Sequence, residues 1–198
     1  MAINQRVKKD TGPRTNEQIT ASEVRVISSS GKQLEVLTKL MGQKKFKDAL
    51  KYGNILIRLN SRDPKVFNIL GVSSAELGLN NEAISFFKQA IKLLPTYHEA
   101  HNNIAITYKN IGYSLDAITY FKEAIKLMPN YSAAYYNLGS LYEKLSKFTE
   151  LNDLVVLADS NLPLKDPTIQ LFKAYLRYTD QNFEACLKIL LKINPQNI

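Results

Sequence analysis

The chain has 198 residues, 45% of them apolar, with no Trp but 11 Tyr and 8 Phe to supply aromatic bulk. Its 8 Gly and 7 Pro fall below the usual share of about 12%, too few for a turn-rich all-β fold or a disordered chain, and its single cysteine excludes an internal disulfide framework or a multi-cysteine metal site. The net charge of +8 is spread along the chain, as on a solvated surface, whereas a nucleic-acid binder gathers Lys and Arg on one face or in one run. The longest apolar run, residues 154–158, is far short of the roughly 20 residues that span a bilayer. No apolar segment follows the basic N-terminus to make a secretory signal. A soluble, mainly helical, cytoplasmic protein with no membrane partner is expected.

Residues 1–37 repeat nothing that comes later. Val24 and Val26 alternate with Arg25, residues 28–32 read as a turn, and Leu34 and Val36 alternate again, the pattern of a short β-hairpin. Over residues 12–37 this segment resembles the start of the N-terminal domain of bacterial translation initiation factor 3, in which a basic arm leads into a strand, a turn and a second strand. The match ends before that domain's long helix, and a lone two-stranded hairpin is marginal in water. Residues 1–32 are therefore expected to form a mostly disordered basic arm or a partial hairpin. The resemblance implies that Arg6, Lys8, Lys9 and Arg14 would meet ribosomal RNA phosphates, a salt-sensitive attraction that is weak with four charges alone. Nucleic acid is not expected to be the main partner.

Beyond this arm the chain repeats. Residues 81–95 (NEAISFFKQAIKLLP) and 115–129 (LDAITYFKEAIKLMP) lie 34 residues apart, as do 101–112 and 135–146, and Ala49, Ala83, Ala117 and Leu151 continue the spacing. Each unit reads as two helices. Phe67, Leu70, Gly71 and Ser74 share one helical face, and Ala83, Phe87, Ala90 and Ile91 share another. Gly78 and Gly112 fall at the turns between helices, and Pro95, Pro129 and Pro163 end the second helix of a pair. Gly71, Ala105 and Gly139 are small where a first helix must cross its partner. These residues resemble the tetratricopeptide repeat, with units over about 30–63, 64–97, 98–131 and 132–165 and a degenerate pair over 166–195. The resemblance implies an all-α, right-handed solenoid of about four to five helix hairpins over residues 33–198. Residues 33–40 fit a strand by alternation and a helix by the 34-residue register, and the register favours the helix.

The resemblance further implies a concave groove lined by the first helices, which holds a protein or peptide segment. The groove stripe and its neighbours comprise Lys65, Asn68, Asn102, Asn103, Ile106, Lys109, Asn110, Tyr136, Asn137, Ser140 and Lys144. Asn103 and Asn137 lie 34 residues apart and are expected to stack, each amide donating and accepting a hydrogen bond to a peptide unit. Several members of the family hold a peptide backbone with such an asparagine ladder.

No catalytic, cofactor-binding or metal-binding residues are expected. His98 and His101 supply too few ligands for zinc, and no cysteine or carboxylate cluster completes them. Cys186 reads as a packing residue, and no phosphate-binding loop occurs. The function expected is a non-enzymatic interaction scaffold. Residues 141–195 also resemble the degenerate final repeats of bacterial tetratricopeptide-repeat sulfotransferases, which implies an alternative role in positioning substrate for a catalytic domain that this chain does not contain. Ribosome binding through the initiation-factor-like arm is the third reading.

Overall fold

In each repeat a left-handed residue reverses the chain, and this residue recurs at the sequence period. Lys44, Gly78, Gly112 and Ser146 have φ of 55°, 76°, 88° and 54°, and Gln181 follows one residue late at 59°. At each turn the residue after it donates its backbone N–H back across the helix end: Lys45 to Leu40, Leu79 to Ser74, Tyr113 to Tyr108, Lys147 to Tyr142 and Asn182 to Arg177. This six-to-one bond closes a helix by satisfying a carbonyl that has no partner within it. Glycine takes the left-handed conformation without strain at 78 and 112; Lys44 and Ser146 take it at a cost.

The computed structural model describes residues 30–163 and 166–182, together with 185, 186, 188 and 189. Nine α-helices follow one another among the described residues: α1 Ser30–Gly42, α2 Phe46–Arg58, α3 Pro64–Glu76, α4 Asn80–Leu93, α5 His98–Asn110, α6 Ser114–Leu127, α7 Ser132–Lys144, α8 Phe148–Asn161 and α9 Pro167–Thr179. They pair as hairpins, and successive hairpins stack into an α-solenoid. The first helices of neighbouring repeats, α1, α3, α5, α7 and α9, touch in sequence, whereas the second helices are held apart and make the outer face. No described helix is long and apolar enough to cross a membrane. The basic residues Arg6, Lys8, Lys9 and Arg14 and the first strand expected around Val24 lie outside the described residues. Leu34 and Val36, placed by alternation on a second strand, belong instead to α1, whose Leu37 is fully buried against Leu56, Val66 and Leu70. Burial of the Leu34, Leu37 and Met41 face outweighs a period-two pattern only a few residues long.

Helix α3 shows how the local sequence sets a boundary. Asp63 accepts a bond from the Lys65 N–H at 2.9 Å, and Pro64 takes the first helical position, where its missing N–H costs nothing. Helices α4, α6 and α8 stop just before Pro95, Pro129 and Pro163, as the sequence leads one to expect. The fourth position of the unit carries a second device. His101 Nε2 donates to the Pro95 carbonyl, and the Tyr135 hydroxyl donates to the Pro129 carbonyl, each at 3.0 Å. Both rings are buried, and each donor satisfies a carbonyl left open at the end of the preceding helix.

The crossings are as tight as the small residues imply. A methyl on Gly71 would lie 2.5 Å from the Phe87 ring, so the two helices meet backbone against aromatic. Two places depart from the expected pattern. In the first repeat Gly53 stands where the pattern has Phe, and Leu70 of the next repeat fills the space, 2.5 Å from where a methyl would be. In the fourth repeat Gly139 faces Phe172 of α9, not its own partner helix. The aromatic of the earlier units is Val155 here, too short to reach Gly139, and the next repeat supplies the ring.

Two substitutions test this account. Ala117→Leu forces a larger side chain into a fully buried crossing and should cost about 1–3 kcal/mol in denaturant unfolding. Ser146→Gly removes left-handed strain at an exposed turn. The strain relieved, about 1–2 kcal/mol, exceeds the extra chain entropy of glycine, about 0.5–1 kcal/mol, so the melting temperature should rise.

Candidate functional site

Helices α3, α5 and α7 run side by side, and their polar residues meet across the helix boundaries. Asn103 Nδ2 donates to Asn68 Oδ1 at 3.1 Å, and Asn137 Nδ2 donates to Asn102 Oδ1 at 3.1 Å. Asn102 Nδ2 reaches Asn103 Oδ1 at 3.5 Å, and Asn68 Nδ2 reaches the Tyr97 hydroxyl at 3.4 Å. The four amides thus form one directional relay, from Asn137 through Asn102, Asn103 and Asn68 to Tyr97. Asn103 and Asn137 lie on neighbouring first helices, and each spends its amide N–H on an asparagine of the helix before it. A helical side chain leans toward the N-terminus of its own helix, so each amide meets the residue one step back on the preceding first helix. Asn102 is only 3% exposed, which makes it a link inside the stack. Among the described residues the relay leaves Asn137 Oδ1 as its open acceptor end.

Tyr97 was not marked by sequence pattern, since it precedes α5 and lies off the groove stripe. Burial first, then the nearby Glu99 carboxylate, pushes its pKa up to about 12. Its hydroxyl therefore stays protonated as the terminus of the relay.

A second cluster lies toward the C-terminal ends of α5 and α7. Lys109, Asn110, Ser140, Leu141 and Lys144 line an open depression of about 420 Å³. Lysines suit this place because the last helical turn presents unpaired carbonyls. Here two of them converge. Partial burial, and then the charge of Lys144, lower the pKa of Lys109 from its usual 10.5. Neither lysine has an ion-pair partner among the described residues. A carboxylate between them would offset both the repulsion and the cost of desolvation.

The remaining groove residues are placed differently. Lys65 is exposed in the first turn of α3, and Ile106 packs its side chain against the core. Tyr136 is 49% exposed and lies over Phe172 of α9, ring centres 6.3 Å apart. His98 contacts Glu99 at 3.1 Å and sets its ring edge against Tyr131, while His101 turns inward toward Tyr120. Among the described residues no three His, Cys, Asp or Glu side chains converge on a metal position. Cys186 is a free, partly buried thiol.

The helix-hairpin geometry, the 34-residue register and the small-against-aromatic crossing coincide over the second and third units. The tetratricopeptide repeat family matches residues 64–97 and 98–131. These two units are tetratricopeptide repeats. Solved structures of similar architecture extend over most of the chain. MamA residues 41 to the end, from Desulfovibrio magneticus RS-1, has a TM-score of 0.68 at 16% identity, covering 84% of this chain and 96% of that one. TTC0263, a thermophilic TPR protein in Thermus thermophilus, has a TM-score of 0.60 at 19% identity, covering 85% and 93%. YrrB, described as a TPR protein with an unusual peptide-binding site, has a TM-score of 0.64 at 14% identity, covering 88% and 93%. At these identities the likeness is one of fold. None of the curated proteins matches the chain.

The relay predicts an order of sensitivity. Asn102→Ala removes a buried link and strands the Asn137 amide, which should cost about 1–3 kcal/mol in thermal unfolding. Asn110→Ala, at an exposed position, should stay within about 0.5 kcal/mol of the parent.

Proposed function

We propose that this chain is a non-enzymatic protein-interaction scaffold whose concave face binds an extended peptide segment carrying an acidic group. The observation that supports the reading is the pair of lysines, Lys109 and Lys144, over one depression and without an ion-pair partner among the described residues, with Lys109 already partly desolvated. The groove residues proposed to take part are Asn137 and Ser140, which follow one another on α7, and Lys109, Asn110 and Lys144 at its end. Asn137 Oδ1 would accept a peptide N–H, the Ser140 hydroxyl lies one turn further on, and the lysines would hold a carboxylate. Asn68, Asn102 and Asn103 would hold this surface in register by bonding to one another.

The proposed site sits on the middle repeats of a division into an N-terminal arm over 1–32 and a solenoid over 33–198. An extended peptide rich in Glu, labelled for fluorescence polarisation, tests the reading. Binding should weaken at least tenfold in the Lys109→Ala/Lys144→Ala double variant, with the melting temperature held within a few degrees. Equal affinity for parent and variant would sink the proposal.

The proposal carries a pH signature. The bound carboxylate should restore the lowered pKa of Lys109 toward its usual value, so binding takes up protons. Affinity should then fall as pH rises through the window between the free and bound pKa of Lys109, beginning below 10.5. Calorimetry near the lower edge of that window, in buffers of different ionisation enthalpy, measures the uptake. A binding enthalpy independent of buffer would contradict it.

A further inference from the structure

The outer face carries an open groove. It depends on one repeat position, occupied by Phe86, Tyr120 and Leu154 in successive units. That position faces the groove between one second helix and the next. Phe86 packs, partly buried, against the core cluster that holds Leu56 and Leu70. Tyr120, on α6, packs against the cluster that holds Ala83 and Phe87 of α4, stacked on Tyr108 with ring centres 5.7 Å apart and planes 18° apart, and tilted against His101 at 5.9 Å. An aromatic ring thus plugs each of the two earlier grooves. Leu154 is shorter, and the groove between α6 and α8 stays open as a cavity of about 440 Å³.

The floor of this cavity is apolar: Ile125 from α6, Leu138 and Tyr142 from α7, and Leu154 and Leu157 from α8. Tyr142 holds the register position of Tyr108, the residue on which Tyr120 stacks one repeat earlier. The rims carry opposite charge, Lys122 and Lys126 on α6 facing Glu150 and Asp153 on α8. Lys126 is paired with Glu123 at 3.2 Å, and Glu150 is paired with Lys147. Lys122 and Asp153 have no ion-pair partner among the described residues. Leu157 is 46% exposed at the mouth, an apolar side chain left in water.

We propose that this groove docks an aromatic side chain of a partner protein, with an acidic neighbour on the side of α6 and a basic neighbour on the side of α8. The ring takes the place that Tyr120 fills internally one repeat earlier, next to Tyr142 and over Leu154. The flanking charges meet Lys122 and Asp153 and set the direction of the partner segment. A pocket of this size with an apolar floor and few polar groups is of the kind that buries an anchor side chain. The site is on the opposite side of the repeats from the lysine depression and does not rest on that reading.

The chain contains no Trp, so a Trp-bearing probe reports its own burial without background. The probe is the peptide Ac-Glu-Glu-Trp-Leu-Arg-amide, with a counterpart in which Ala replaces Trp. The full chain should give a saturable blue shift of the probe's emission, and the Ala counterpart should compete at least tenfold less well. Leu154→Tyr plugs the groove from within and should abolish the shift while keeping the helical circular dichroism spectrum. Lys122→Glu, a surface change, should weaken binding at least threefold, and it decides the matter if Leu154→Tyr does not fold. The Lys109→Ala/Lys144→Ala variant, which removes any hold of the lysine depression on the probe's carboxylates, should keep the saturable blue shift, because the ring that reports it sits in the outer groove. A shift that persists in folded Leu154→Tyr, an unchanged affinity in Lys122→Glu, or no saturable shift in the parent would overturn the proposal. So would concentration-dependent dimerisation that Leu154→Tyr removes, because it would put a second copy of this chain in the groove.

Discussion

Gly71 lies against the ring of Phe87, and much of the architecture depends on that close approach. Two helices can cross with backbone this near an aromatic face only where one of them has no side chain to interpose. Such a crossing buries a large ring without a wide helix separation, and the hairpin can then present flat sides to the units before and after it. One unit cannot cover its own apolar sides, so stability is shared between neighbours. The same contact explains where the stack changes character. In the fourth unit Val155 is too short to cross, Phe172 reaches back from α9 to take the ring's place over Gly139, and the pairing shifts from within a repeat to between repeats.

Polar groups inside the stack obey an equally strict economy. At the fourth position of the units over 98–131 and 132–165 a ring both fills core space and donates a hydrogen bond, His101 and Tyr135 each to a proline carbonyl. His101 meets this need with Nε2, which leaves Nδ1 buried and unpartnered; the Tyr52 hydroxyl is the other buried side-chain group of this kind among the described residues. The asparagine relay solves the same problem between first helices. Its amides satisfy one another in one direction, and among the described residues only the Asn137 end leaves an acceptor over. The surface that looked like a row of independent ligands is therefore a structural ladder with one open rung.

The two faces differ in kind. The inner depression is polar and positively charged, shaped by lysines at helix ends. The outer groove is apolar with charge at its rims, shaped by the loss of one ring from a repeated position. Neither needs a backbone feature that other repeats lack. A near-identical module acquires different surfaces by changing single side chains, because the stacking contacts hold the backbone constant.

The sequence by itself determined the module: its 34-residue length, its two helices, the turns at Gly78 and Gly112 and the stops at the prolines. These are legible because they are local or strictly periodic, and helix pattern, turn chemistry and small residues all agree. It also settled residues 33–40, where register correctly outweighed alternation. What only the tertiary structure decided is which side chains meet across repeats. Asn103 bonds to Asn68 and not along its own register because side chains lean along the helix, an offset no sequence period contains. Phe172 fills the space over Gly139, Lys109 and Lys144 converge, and Leu154 leaves a groove open. Each depends on the distance between elements far apart in the chain, and that distance is set by packing.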